Sequence, residues 1–279
     1  MLRSVALAIL WTGTMAVAYD SQAHAANAAT PWTELHASRV RLIAGPADQG
    51  HYVAGLEIVL ADGWKTYWRT PGDSGVPPNF DWSGSRNVAK ATPLFPAPVR
   101  MPEAGGVAIG YKHKVVLPIR IVPEDKTRPV ALKLALEFGV CREICIPATA
   151  NFELSIEPAS AGQPIPEISA ALDRVPRQPE LRRAGDPKLE SAAIDRSGKA
   201  PKLVIEASFG DGARNEDVFV EAPEGLYVSP PTKVAASRNG SLRFESTLGT
   251  ELAQDLKGKT LTFTLVSNSG ATETKWIVP

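Results

Sequence analysis

The chain has 279 residues with 30 Lys+Arg against 30 Asp+Glu, so its formal charge is zero at pH 7. That balance removes the electrostatic drive toward nucleic acid or an anionic membrane, because such sites need a basic excess. A hydrophobic share of 44% and a charged share of 22% exclude a disordered chain, and the length allows about two domains, each with its own core. Proline is the outlier at 24 of 279 residues, a richness that fits a loop-rich β protein better than a helical one.

Met1 to Ala25 reads as a secretory signal. Arg3 supplies the positive n-region, Val5 to Val17 a short apolar run, and Ala23-His24-Ala25 the small-x-small cleavage site. The run is shorter than the roughly 20 residues of a membrane anchor, and no later stretch approaches that length. Cleavage after Ala25 removes one Arg and one Asp, so the mature chain is expected to stay neutral and to lack a membrane span. The expected product is exported and soluble, in a compartment where disulfides persist.

Alternation dominates from residue 34 onward. His51 to Leu60 and Val115 to Val122 are strand candidates, and Pro118 predicts an edge or a bulge in the second. Val130 to Phe138 places a large apolar residue at every even position, and Asn151 to Ile156 repeats the parity. Period two means one buried face and one open face. Residues 158–188 carry Pro158, Pro164, Pro166, Pro176, Pro179 and Pro187, with room for a short helix near Glu167 to Arg174; the segment reads as a semi-stiff linker. Beyond it, Lys202 to Ala207, Asp217 to Glu221, Ser241 to Thr247, Thr260 to Val266 and Thr272 to Val278 read as strands, with a short helix at Glu251 to Leu256. Short, regularly spaced strands predict an all-β chain of two β-sandwiches, residues 26–157 and 189–279.

The two cysteines, Cys141 and Cys145, fall between the two clearest strands, at the tip of a predicted hairpin with a three-residue loop. Strand parity puts both on the odd face with Lys133 and Glu137, away from the core, unless Gly139 hosts a bulge. Cross-strand Cβ atoms stand about 4.5–5.5 Å apart, slightly wide of the roughly 3.5–4.5 Å of a disulfide, so a bond is feasible and prone to strain. Three readings stand side by side. A structural staple is common in exported proteins, yet closing a loop of about five residues contributes only about 2 kcal/mol. Buried free thiols suit an oxidising compartment poorly. A redox-active dithiol is the third, and C-x-x-x-C spacing alone is weak support for it.

The hairpin Val140-Cys141-Arg142-Glu143-Ile144-Cys145-Ile146-Pro147, with Gly63-Trp64-Lys65-Thr66-Tyr67-Trp68-Arg69-Thr70-Pro71-Gly72-Asp73-Ser74-Gly75 and Gly110-Tyr111, resembles the N-terminal periplasmic domain of DsbD-type thiol:disulfide interchange proteins. The resemblance is nearest to the ScsB-like (suppressor of copper sensitivity) branch and covers about residues 32–157. It implies two immunoglobulin-like sandwiches, a redox pair Cys141 and Cys145, and the second Cys as the one that forms a mixed disulfide. It implies thioredoxin-fold periplasmic partners, a separate membrane electron carrier of the DsbD/CcdA type, no cofactor, and a protein-disulfide reductase class of activity. Copper tolerance and cytochrome c biogenesis are the processes it brings with it. Trp64 and Thr66 fall where relatives place active-site tyrosines, with Tyr111 nearby. The loop Met101 to Val107 corresponds to the cap that shields the disulfide, with Ala104 or a Gly where the capping aromatic stands. Arg142 would lower a neighbouring thiol pKa and Glu143 would raise it.

Trp64, Tyr67, Trp68 and Trp82 form an aromatic concentration, read first as core packing and second as a docking surface. His113 between Lys112 and Lys114 reads as a solvent-facing turn residue. The alternative is a copper module built from Cys141, Cys145 and His113. A scaffold sandwich with a structural disulfide is the remaining alternative. No phosphate loop, His-Glu-x-x-His or nucleophile elbow is present, and Glu124-Asp125 belongs to a polar turn.

Overall fold

Period-two alternation becomes antiparallel sheet in both halves of the chain. The computed structural model describes residues 28–48, 51–158, 165–236 and 241–279, so the secretory signal lies outside the described residues. The first half runs β1 (Thr33–Leu35), β2 (Ser38–Asp48), β3 (His51–Leu60), β4 (Lys65–Gly72), β5 (Asn79–Asp81), β6 (Lys90–Pro93), β7 (Val99–Glu103), β8 (Gly106–Lys112), β9 (Lys114–Val122), β10 (Val130–Cys141) and β11 (Cys145–Ile156). These strands form two facing sheets, ordered β1-β2-β3-β9-β6 and β11-β10-β4-β8-β7, with β5 paired to β10. After helix α1 (Pro166–Asp173) come β12 (Lys188–Asp195), β13 (Lys202–Ser208), β14 (Asp217–Glu221), β15 (Thr232–Ala236), β16 (Leu242–Thr247), helix α2 (Thr250–Asp255), β17 (Thr260–Ser267) and β18 (Gly270–Ile277). They build sheets β12-β13-β16-β15 and β14-β17-β18. The protein is thus all-β, with two immunoglobulin-like sandwiches.

The first core is the meeting of two alternating faces. Leu132, Leu134, Leu136, Phe138 and Val140 of β10, with Phe152, Leu154 and Ile156 of β11, pack in one cluster with Leu42, Leu56, Ile58, Leu117, Ile119 and Ile121. The β10–β11 register runs without a break from Val130↔Ile156 to Cys141↔Cys145. Pro118 causes no bulge: β9 pairs continuously with β3 through Gly55↔Pro118. Nor is β9 an edge strand. The four residues of β6 stop pairing at Pro93↔Ile119, one position short of Pro118, so the missing proline N–H interrupts no ladder on that side.

The segment after residue 164 is packed down rather than suspended. Ile168 and Ala171 of α1 bury against Ile43 and Val116 on the outer face of the first sandwich. Further along, the Arg177 N–H bonds the Ala271 carbonyl and the Glu273 N–H bonds the Arg177 carbonyl. Arg177 also forms a two-pronged ion pair with the buried Asp186 at 2.5 and 2.7 Å. The segment therefore touches both sandwiches, which a free spacer would not.

Strand β14 belongs to both cores. Its even residues Val218 and Val220 bury in the second sandwich, while Phe219, 1% exposed, joins the core cluster of the first. Phe219 lies against Trp68 with ring centroids 5.9 Å apart. On either side of it, Asp217 takes a bidentate pair from Arg100 at 2.7 and 2.9 Å, and Glu221 takes one from Arg69 at 2.6 and 2.8 Å. Arg69 also pairs with Glu273 and lies over the Trp68 ring at 4.4 Å. Burial alone would lower the Arg69 pKa, but the Glu221 and Glu273 carboxylates outweigh it and hold the guanidinium charged.

A strand shared by two cores couples their unfolding. Phe219→Ala is expected to cost about 3–5 kcal/mol, the usual range for emptying a buried aromatic site. Calorimetry should show one cooperative transition in the parent and two separate transitions in the variant.

Candidate active site

The hairpin tip presents its two sulfurs unequally. Cys141 and Cys145 are directly paired across β10 and β11, joined by a disulfide with their Cα atoms 4.2 Å apart. Cys141 is 1% exposed, whereas Cys145 is exposed. Both lie on the odd face, as parity requires, but that face is not open at the tip. Cys141 is buried in a small cluster of its own with Tyr67, Met101 and Ala108. Gly139 hosts no bulge; a Cβ there would stand 3.2 Å from the Tyr67 ring, so its bare backbone is what lets the ring lie over the strand.

Three consecutive residues of β4 fasten this cover to the hairpin. Lys65 pairs in register with Cys141, and its ammonium donates to the Arg142 carbonyl at 3.0 Å while pairing with Glu103 at 2.6 Å. The buried Thr66 hydroxyl donates to the Gly139 carbonyl at 2.9 Å. The Tyr67 hydroxyl lies 3.0 Å from Cys145 Sγ. A disulfide sulfur carries no hydrogen, so the phenol is the donor. Burial, helped by the Glu103 charge, pushes the Tyr67 pKa up, so the donor stays protonated at neutral pH. Glu103 is the last residue of β7. Burial would raise its pKa, but hydrogen bonds from Lys65 and Ser74 and the Lys65 charge hold it below the ordinary glutamate value.

The other residues singled out from the sequence fall in several places. Trp64 is half-buried and packs against the first core, and Tyr111 is buried in that core with its hydroxyl donating to the Pro96 carbonyl at 2.8 Å. No hydrogen bond links either to a sulfur. Ala104 is exposed at the β7–β8 turn and covers nothing; the shielding side chains are Met101 and Tyr67. Arg142 and Glu143 are exposed, as is Ile144, which is 71% accessible beside Cys145. His113 sits in the β8–β9 turn with φ 61° and a side chain 75% exposed, its ring 3.9 Å from Asp62. Among the described residues no three His, Cys, Asp or Glu side chains gather to hold a metal, so the Cys141, Cys145 and His113 set is not assembled.

Tyr67 is the functional candidate that the sequence reading assigned to packing. Its signal was parity: in Thr66-Tyr67-Trp68 the middle ring must face away from its neighbours. Which face meets the cysteines depends on the long-range β4–β10 register, which local sequence does not encode.

An immunoglobulin-like sandwich that carries a half-exposed disulfide on a hairpin, under a side-chain cover, defines a class of covered-disulfide domains. Residues 36–156 match the family described as "Thiol:disulfide interchange protein DsbD, N-terminal". Residues 174–279 match a "Domain of unknown function (DUF8393)". Among solved structures the chain is similar to the N-terminal periplasmic domain of ScsB from Proteus mirabilis. The two share 22% identity with a TM-score of 0.67, over 90% of this chain and 98% of that one. That similarity extends the shared fold over both sandwiches. A conserved domain protein from Bacillus anthracis aligns at 12% identity over 84% of this chain and 75% of its own, with a TM-score of 0.24 that carries no argument. No curated protein matches the sequence. Among the described residues no helix is long and apolar enough to cross a membrane.

Two outcomes follow from the Tyr67 and Glu103 contacts. In the reduced protein the Tyr67 hydroxyl should stabilise the Cys145 thiolate, so Tyr67→Phe should slow iodoacetamide alkylation of Cys145 at pH 7 by about tenfold, the worth of one hydrogen bond to a charged group. The Lys65–Glu103 tie has the sign of a lowered carboxylate. It is intact at neutral pH and lost as pH falls through the Glu103 value, below the ordinary carboxylate range. Disulfide reduction by a phosphine, which stays nucleophilic in acid, should therefore accelerate in that window in the parent and show no such step in Glu103→Gln.

Proposed function

We propose that the protein is a periplasmic thiol:disulfide interchange protein that relays reducing equivalents through Cys141 and Cys145 to thioredoxin-fold partners. The observation that carries this reading is the asymmetry of the pair: one sulfur is exposed and hydrogen-bonded, the other buried. Exchange needs one sulfur that an incoming thiolate can reach and one that leaves. A partner thiolate attacks Cys145 Sγ, the Cys141–Cys145 bond breaks, and Cys141 departs as thiolate. The partner's second thiolate then attacks its own sulfur in the mixed disulfide and releases Cys145 as thiolate. Two electrons pass from the partner dithiol to this protein, and the reverse sequence passes them on to an oxidised partner. Tyr67 donates to Cys145 in both directions, which favours it as thiolate when it leaves.

The exposed Ile144 beside Cys145 supplies apolar docking area, and a neutral chain suits protein partners better than polyanions. The match of residues 36–156 to the DsbD N-terminal family supports the same chemistry, with a separate membrane carrier of the DsbD/CcdA type as the source of electrons. The secretory signal read from the sequence supports a periplasmic location, with cleavage near Ala25.

Trapping tests this directly. Cys141→Ser leaves the exposed Cys145 without its resolving partner, so its thiolate should attack the disulfide of an oxidised thioredoxin-fold partner and accumulate a mixed disulfide, visible on non-reducing gels; Cys145→Ser should not. If thioredoxin-fold dithiols fail to reduce the disulfide in the folded parent protein, the reading is wrong.

A further inference from the structure

The second sandwich has no redox residue, yet it grips the strand that covers the disulfide. The segment from Lys65 to Asp73 alternates between two attachments. Lys65, Thr66 and Tyr67 bond the cysteine hairpin as described above. The β4–β8 register then slips between Tyr67 and Gly72, because Tyr67 pairs with Gly110 but Gly72 pairs with Ala108. The extra residues bulge out of the sheet and deliver Arg69 to Glu221 and Glu273, and the Thr70 hydroxyl to Glu221 at 3.0 Å. One residue past β4, Asp73 binds in two directions. Its Oδ2 accepts from the Val107 N–H at 2.8 Å, at the start of β8, and its Oδ1 accepts from the Tyr227 hydroxyl of the second sandwich at 2.8 Å. Gly106 leaves room for this carboxylate; a Cβ there would lie 2.7 Å from Asp73 Oδ2. Arg100 completes the pattern from β7. It pairs with Asp217 and donates to the Pro231 carbonyl at 2.8 Å, while its neighbour Met101 packs on Cys141.

We propose that Arg69 and Asp73 are positioning residues through which the second sandwich holds Tyr67 and Met101 closed over the Cys141–Cys145 pair. This rests on the redox reading of that pair and gives the second sandwich a role in it: undocking it, in whole or locally, uncovers Cys141 and speeds attack on the disulfide. Neither Arg69 nor Asp73 bonds a sulfur. Each acts through a neighbour, Arg69 through the strand that carries Tyr67 and Asp73 through the β7–β8 turn.

The test uses the full mature chain with dithiothreitol as the reductant, so no protein partner is needed. Two variants break the clamp at different points: Tyr227→Phe removes the donor to Asp73, and the double variant Glu221→Gln with Glu273→Gln removes both charges facing Arg69. Each should reduce about tenfold faster than the parent under native conditions, the worth of one hydrogen bond to a charged group. Tyr227→Phe should add nothing further in an Asp73→Ala background, because both act through one contact. The acceleration should also be independent of low urea, since local uncovering exposes little surface. Rates within about twofold of the parent in both variants would overturn the proposal. So would an acceleration that rises steeply with urea, because that reports global unfolding. Failure of thioredoxin-fold dithiols to reduce the parent would instead count against the exchange reading, and leaves the dithiothreitol rates to decide the clamp by themselves.

Discussion

Strand β4 is the element on which the rest of this structure depends, because its two faces serve different masters within a few residues. Tyr67 points onto the disulfide, while Trp68 is fully buried and meets Phe219 from the other sandwich. Alternation forces this division: adjacent residues on a strand cannot face the same way. The site and the inter-domain core therefore cannot move independently. A shift that withdraws Phe219 from Trp68 must be felt one residue away, at the ring that hydrogen-bonds Cys145.

The ion pairs at the domain boundary are better read as register marks than as sources of stability. Arg69 and Arg100 sit at half-buried positions, where desolvation offsets much of the Coulomb gain. What they fix is geometry. A guanidinium fork accepts a carboxylate in one plane, and two forks flanking Phe219 leave the second sandwich a single seat on β4 and β7. Apolar burial of Phe219 alone would tolerate sliding, and sliding would loosen the cover on Cys141.

How much of this was legible in the sequence follows from the range of each interaction. The β10–β11 hairpin was readable because Val130 to Phe138 and Asn151 to Ile156 declare their parity locally, and register then places Cys141 opposite Cys145 without further information. The cover was not readable, because it depends on β4 lying beside β10 across a sequence gap of more than sixty residues. The resemblance implied a cap in the loop Met101 to Val107, with Ala104 or a Gly in place of its aromatic; Ala104 is exposed at the turn, and Met101 of the same loop faces inward on β7. The docking of the segment after residue 164 was hidden for a different reason: only Ile168 and Ala171 bury, too few to print a helical period. Strand β14 did carry a signal. Asp217-Val218-Phe219-Val220-Glu221 is apolar on both faces at its centre, and a strand with two apolar faces must be covered twice.

The unequal burial of Cys141 and Cys145 favours the proposed exchange pair over a staple on physical grounds. A staple gains nothing from a phenol aimed at its sulfur, nor from an apolar side chain left exposed beside it, and it closes too short a loop to contribute much stability. Exchange needs each of these features: a reachable sulfur at Cys145, a donor to stabilise negative charge there, a dry pocket that keeps Cys141 from attack, and a surface at Ile144 for a partner to cover. The cover imposes a condition in return. With the Tyr67 hydroxyl 3.0 Å from Cys145 Sγ, the proposed exchange would depend on the partner's shape as well as on the reactivity of its thiol.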